Sequence, residues 1–116
     1  MTASTSIDPG QALSLSTLVT PTPGGIASRV LARTSGGNVT LFAFDAGQGL
    51  EEHTSPFDAL VLALEGELRL TIGGTPVAAV PGTIVRMPGG VPHALEAPAA
   101  ARMLLVMLRE PGASAT

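Results

Sequence analysis

His53 and His93 are the only imidazoles in this chain, and it contains no Cys, Lys, Tyr or Trp. Their absence removes thiolate nucleophiles, thiolate metal sites, Schiff-base lysines, disulfides and phenolic acids together. Chemistry is left to His, Asp, Glu, Ser, Thr and Arg. A pair of imidazoles can ligate a divalent transition ion, relay protons near neutral pH, or hold a small molecule by hydrogen bonds.

The neighbours of each histidine narrow these options. Alternate residues of an extended strand share a face, which places Glu51, His53 and Ser55 together if the strand is regular. Glu51 is the one carboxylate nominated as an additional donor, and its plainer role is a solvated charge beside Glu52. Ser55 can hold a metal-bound water or cap the Ser55-Pro56-Phe57-Asp58 turn, and capping is the commoner use of serine in such a turn. Arg86 can meet an anionic ligand, but a solvated strand position is the simpler reading. Gly47-Gln48-Gly49 lacks the third glycine and the helix of a dinucleotide loop. Asn38-Val39-Thr40 matches a glycosylation acceptor, which a cytosolic chain does not use.

The elements that carry these residues read as strands. Fourteen glycines and ten prolines punctuate short apolar segments, a pattern of strands and turns rather than long helices. Strands are expected at Ile26 to Arg33, Asn38 to Phe44, Ala59 to Leu64, Glu67 to Ile72, Pro76 to Val80, Thr83 to Met87 and Ala101 to Leu108. Gly73-Gly74 closes a tight hairpin, because that dipeptide accepts positive φ without a Cβ clash. Turn signals about every ten residues imply a sandwich or small barrel. Residues 1–12 are expected to form a flexible N-terminal segment, 13–110 one barrel domain, and 111–116 a tail. Leu13 to Val19 is a possible edge strand.

Charge and hydropathy restrict the partners. The chain has 116 residues, a formal net charge of −3 and six arginines that occur singly, so no basic stripe is offered to nucleic acid or anionic lipid. No apolar run reaches the roughly 20 residues that span a bilayer, and the N-terminus lacks the regions of a secretory signal. A soluble, cytoplasmic protein is expected. Ala59 to Leu64 and Met103 to Leu108 are apolar on both faces of a strand, so both faces should be covered. One face fills the barrel and the other packs on a second sheet or a second subunit, which predicts a homodimer.

Two spaced motifs make the chain resemble the cupins, specifically small single-domain cupins of the conserved-barrel type. Gly47, five residues, His53 and the closing Gly66 follow the first cupin motif. Gly82, Pro88, Gly90 and His93 follow the second. The resemblance runs from about Val39 to Leu108. It implies an all-β fold, the double-stranded β-helix or jelly-roll-like barrel, with the site inside its mouth.

The departures from those motifs bear on chemistry. Ser55 stands where the family has its second histidine, Ala59 where it has glutamate, and Ala97 where it has asparagine. The resemblance implies four metal ligands, of which His53 and His93 are retained. Fe, Mn, Ni or Zn each call for three or four protein donors, so the expected cofactor is none or a weakly bound ion of this group, on His53 and His93 with Glu51 as a remote third donor.

Small residues at the lost positions leave space. Carried over from the family, the inward direction of position 59 takes Val61 and Ala63 inward and Leu60, Leu62 and Leu64 outward; Leu95 and Ala97 follow His93 inward. The expected pocket is apolar and bounded by His53, His93, Ser55, Ala59, Phe57 and Leu95, suited to a small hydrophobic ligand. Phe42 and Phe44 are expected in the core. Three functions follow: a small-molecule binding module, a metal-dependent dioxygenase or isomerase that recruits a replacement donor, and a structural or partner-binding dimer.

Overall fold

The computed structural model describes residues 6–109. Among them are nine strands in two antiparallel sheets: β1 Ile26–Thr34, β2 Gly37–Phe44, β3 Gly49–His53, β4 Asp58–Glu65, β5 Leu68–Ile72, β6 Thr75–Ala79, β7 Ile84–Met87, β8 His93–Glu96 and β9 Ala101–Leu108. The larger sheet has the order β1-β2-β9-β4-β7 and the smaller β3-β8-β5-β6. The predicted tail, 111–116, and the first five residues lie outside the described range.

The pairing pattern has one simple origin. β5 pairs with β6, β4 with β7, β3 with β8 and β2 with β9, so the chain from Gly37 to Leu108 is a single long hairpin. Its tip is the predicted Gly73-Gly74 turn, where both residues have positive φ (56° and 82°) and Ile72 faces Thr75. Strands twist with a fixed hand, and this ribbon winds until β4 also pairs with β9 and β5 with β8. That is the double-stranded β-helix implied by the motifs.

Alternation decides which side chains fill it. In β4, Ala59, Val61 and Ala63 are buried while Leu60, Leu62 and Leu64 are half-buried on the outer face, as the sequence predicts. Phe44, Leu68, Leu70, Ala79, Met87, Leu95, Ala97, Ala101 and Met103 complete the interior, and Phe42 packs against it. At roughly 25 cal/mol per Å² of apolar surface removed from water, this interior is the main source of stability.

The N-terminal segment departs from expectation. Leu15–Thr17 forms a short 3₁₀ turn, not an edge strand. The cause is local hydrogen bonding: the Thr17 hydroxyl and amide both donate to the Ser14 carbonyl, an alternative that Ser and Thr readily offer to extended backbone. Within the stretch expected to fray, the Ile7 amide donates to the Leu31 carbonyl. Arg29 and Arg102 hold the carbonyls of Leu18 and Val19, which lays the segment over the β1–β2 half of the larger sheet's outer face. Leu41 on that face is fully buried.

Candidate functional site

The ribbon explains how two histidines far apart in sequence come together. His53 lies twenty residues before Gly73 and His93 twenty after, and they are direct partners across β3 and β8. His93 is buried (7% exposed), while His53 stands at the exposed end of β3. Their Nε2 atoms are 3.1 Å apart and the rings meet edge to face, with centroids 4.3 Å apart.

Each ring is held from behind. His53 Nδ1 is 2.9 Å from the Glu51 carbonyl oxygen and His93 Nδ1 is 3.2 Å from that of Val91. A carbonyl only accepts, so both Nδ1 atoms must carry hydrogen to bond. Two neutral rings have one N–H each. With both spent on Nδ1, the two Nε2 lone pairs point at one another, and the arrangement is completed by a third proton, a cation or a donor group on a ligand.

Beneath the pair is a cavity of about 50 Å³ lined by Leu50, His53, Ser55, Ala59, Met87, His93, Ala94, Leu95, Met103, Leu105 and Met107. One water needs roughly 10–15 Å³ on this scale, so the space exceeds a single solvent molecule. Of the residues expected there, His53, His93, Ser55, Ala59 and Leu95 line it. Phe57 is not among them: its ring lies under the Arg109 guanidinium, 5.0 Å from the centroid. Ser55 also caps its turn, accepting the Phe57 amide on Oγ at 3.2 Å and the Gly90 amide on its carbonyl at 2.8 Å.

Glu51 is turned away by a register shift. Leu50 pairs with Leu95 and His53 with His93, so β3 spends three steps where β8 spends two. This bulge reverses the alternation between them. Leu50 and His53 therefore both line the cavity, and Glu51 lines a separate, open groove of about 720 Å³ outside the smaller sheet with Gly49, Arg69, Thr71 and Glu96. Contrary to expectation, then, Glu51 does not share a face with His53 and is not placed to act as a third donor.

Asp58, which the spacing of the motifs does not single out, ties the two motifs together. Its carboxylate accepts the Gly89 amide at 2.8 Å and pairs with Arg86, also at 2.8 Å. The Gly89 amide first, and then Arg86, hold its pKa below the usual carboxylate value. Gly89 has no room for a side chain, since a Cβ would come within 2.6 Å of the Pro56 carbonyl oxygen. Arg86, expected as a solvated position, is exposed but anchored to this carboxylate.

A four-ligand metal centre does not fit these residues. The rings have the supporting carbonyls expected behind metal-ligating histidines. However, among the described residues no group of three or more His, Cys, Asp or Glu side chains is placed to hold one ion. Ala59 and Ala97, both buried, present methyl groups where donors would be required. Fe, Mn, Ni and Zn therefore lack the nitrogen and oxygen donors they call for at this site.

Comparison with known proteins agrees with the topology. Residues 40–108 match the model of the cupin domain family. A conserved protein of unknown function from Streptococcus pyogenes is 33% identical over 97% of this chain and 98% of its own, with a TM-score of 0.86. A cupin 2 conserved barrel domain protein from Leptotrichia buccalis is 31% identical over 84% of this chain and 47% of its own, with a TM-score of 0.79. A cupin superfamily protein from Desulfitobacterium hafniense, 24% identical over 95% of this chain and all of its own, shares the fold with a TM-score of 0.83. No curated protein matches. With its nested strand pairs, both motif histidines on one rung and a family match over more than half its length, the chain belongs to the cupin family.

Proposed function

We propose that this cupin is a binding module whose ligand occupies the cavity beneath His53 and His93. One observation carries the reading: the two Nε2 atoms converge at 3.1 Å on the rim of a cavity whose other walls are almost entirely apolar. Such a site favours a small ligand with an apolar body and one electron-poor head, either a donor hydrogen or a positive centre. The exposed His53 marks the entrance and the buried His93 the fixed wall.

The test is a titration, followed by methionine-methyl NMR, with small apolar alcohols and amines of up to about six heavy atoms, near the scale at which ligand efficiency is highest. Saturable shifts of the Met87 and Met107 methyls, weakened in His53→Leu, support the reading. Shifts that never saturate, or that persist unchanged in His53→Leu, overturn it.

A homodimer is proposed alongside. Leu60, Leu62, Ile84, Leu104 and Val106 lie on one outer face of β7-β4-β9 by register, and Ile84 is 59% exposed. The nearby cations Arg86 and Arg102 are already paired with Asp58 and Glu65. A second copy across a two-fold axis would meet apolar surface with no unpaired like charge.

A further inference from the structure

β6 is an edge of the smaller sheet, and its residues, Thr75-Pro76-Val77-Ala78-Ala79, carry no charge. Edge strands are commonly blunted by charged side chains, a bulge or proline, and the device present in β6 is Pro76. The ladder with β5 shows which of its backbone groups face outward. Closing on the two-residue Gly73-Gly74 turn makes Ile72–Thr75 a hydrogen-bonded pair, so Leu70–Val77 and Leu68–Ala79 are hydrogen-bonded rungs and Thr71–Pro76 and Arg69–Ala78 are not. The backbone groups of Pro76, of Ala78 and, one step on, of Val80 therefore point away from β5.

This edge has two gaps, placed symmetrically about Ala78. Pro76 has no N–H to give. The Val80 carbonyl is already engaged, accepting the Thr83 amide at 3.1 Å and the Thr83 hydroxyl at 2.6 Å. An antiparallel strand that sets Ala78 against Ala78 of a second copy also sets Pro76 against Val80. In that register the absent donor meets the engaged carbonyl, the Val80 amide donates to the free Pro76 carbonyl, and the two alanines exchange both of their bonds. Moving the register by one rung either way leaves the Ala78 carbonyl without a donor or the Ala78 amide without a free acceptor. The side chains agree. Pro76, Ala78 and Val80 share the outer face by alternation, and the exposed Val80 (46%) would be laid on Pro76 of the second copy, with alanine against alanine at the centre.

We propose that β6 is a self-association edge, on which two copies of this chain join their smaller sheets antiparallel about a two-fold axis at Ala78, with Pro76 selecting the register. The contact is independent of the cavity and separate from the leucine face of β7-β4-β9. A single short strand pair lies at the small end of protein contacts, so association is expected at about 0.1–1 mM, above the micromolar range in which the leucine face is tested.

The decisive experiment is a dilution series from about 1 mM to about 10 μM, read by backbone amide NMR and sedimentation velocity, on wild type and on Leu62→Arg, which disables the leucine face. The Ala78 and Val80 amides are expected to shift with concentration while the Val77 amide, spent on β5, does not, and Leu62→Arg should move from single toward double mass at the concentrated end. Ala78→Pro removes an outward N–H and no bond to β5, so it should abolish the mass gain and the Val80 shift. Ala78→Glu, at an exposed position, sets like charges opposite each other across the axis and should do the same without touching the backbone. Ala78 and Val80 amides that stay fixed up to about 1 mM overturn the proposal, as does an equal mass gain in Ala78→Glu. Amides that respond to an added extended peptide but not to the protein's own concentration overturn it too, and make β6 a docking edge for another chain.

Discussion

His53 and His93 form one rung of the β3–β8 ladder, yet His93 is buried at 7% exposure and His53 is exposed. The two imidazoles are therefore unequal in what they contribute to folding. Replacing His93 by Ala opens space next to Leu95 and Ala59 and leaves the Val91 carbonyl without its donor. A loss of about 1–3 kcal/mol is expected from the unsatisfied polar group and the enlarged cavity together. His53→Ala should cost less than about 1 kcal/mol, because water can replace its partners. Urea denaturation of the two variants gives the difference directly, and equal losses would contradict the unequal burial of the two rings.

The bulge on β3 makes a second prediction. With one extra residue between the Leu50–Leu95 and His53–His93 rungs, deletion of Glu52 should restore regular pairing with His53 two residues after Leu50, still on the cavity face opposite His93. The contact between the Nε2 atoms should then persist in side-chain ¹⁵N spectra, and its loss would show that the bulge itself aims His53. Glu51→Gln, by contrast, should leave the affinity for apolar alcohols or amines within about twofold, since a side chain outside a site adds only screened electrostatics. A large loss with Glu51→Gln would return that carboxylate to the site.

The same bulge marks where the sequence stopped being readable. Ala59 to Leu64 and Ala101 to Leu108 announce themselves by composition, and the Gly73-Gly74 turn fixes the ribbon's tip. β3 and β8, the strands that carry both histidines, read Gly-Leu-Glu-Glu-His and His-Ala-Leu-Glu. Neither contains a β-branched residue, and their strand state comes from pairing, β3 with β8 and β8 also with β5, not from propensity. Parity carried across β8 held, giving Leu95 and Ala97 inside. Across β3 it failed for Glu51, because one inserted residue inverts every assignment on its far side and nothing local in Glu51-Glu52 signals the insertion. The methionine walls were missed for a different reason: Met87 and Met107 reach the site through register with Ala59, a long-range fact invisible in either segment alone.

Asp58 gives the protein a specific acid dependence. Its pKa is lowered in the fold by the Gly89 amide and Arg86, so the folded state prefers the ionised form. The associated stability is present above the ordinary aspartate value of 3.8 and is lost as pH falls through the lowered folded value. Asp45, lowered by the Gly24 and Ala46 amides, acts in the same direction. In Asp58→Asn the thermal midpoint should be lower than wild type near neutral pH, and the two curves should converge on acidification below that range. A gap that widens on acidification would show that the sign is wrong.

The outer leucine face supplies the last test. β1 and β2 are partly covered by the segment that Arg29 and Arg102 hold through the carbonyls of Leu18 and Val19. β4, β7 and the facing half of β9 have no such cover among the described residues. Leu62 lies at the centre, opposite Ile84 on one side and Leu104 on the other. A stable two-fold interface buries roughly 600–1,000 Å² on each partner, and the Asp58–Arg86 pair flanks this face as a polar rim. Leu62→Arg places two cations against each other across the axis in a desolvated centre, where like charges are strongly disfavoured. Light scattering at micromolar concentration should give twice the chain mass for wild type and the single mass for Leu62→Arg, with unchanged circular dichroism. Ile84→Arg, at the exposed edge of the same face, should weaken the dimer less. A wild-type protein of single mass would leave the leucines as surface of a monomer, and a double-mass Leu62→Arg protein would place the interface elsewhere.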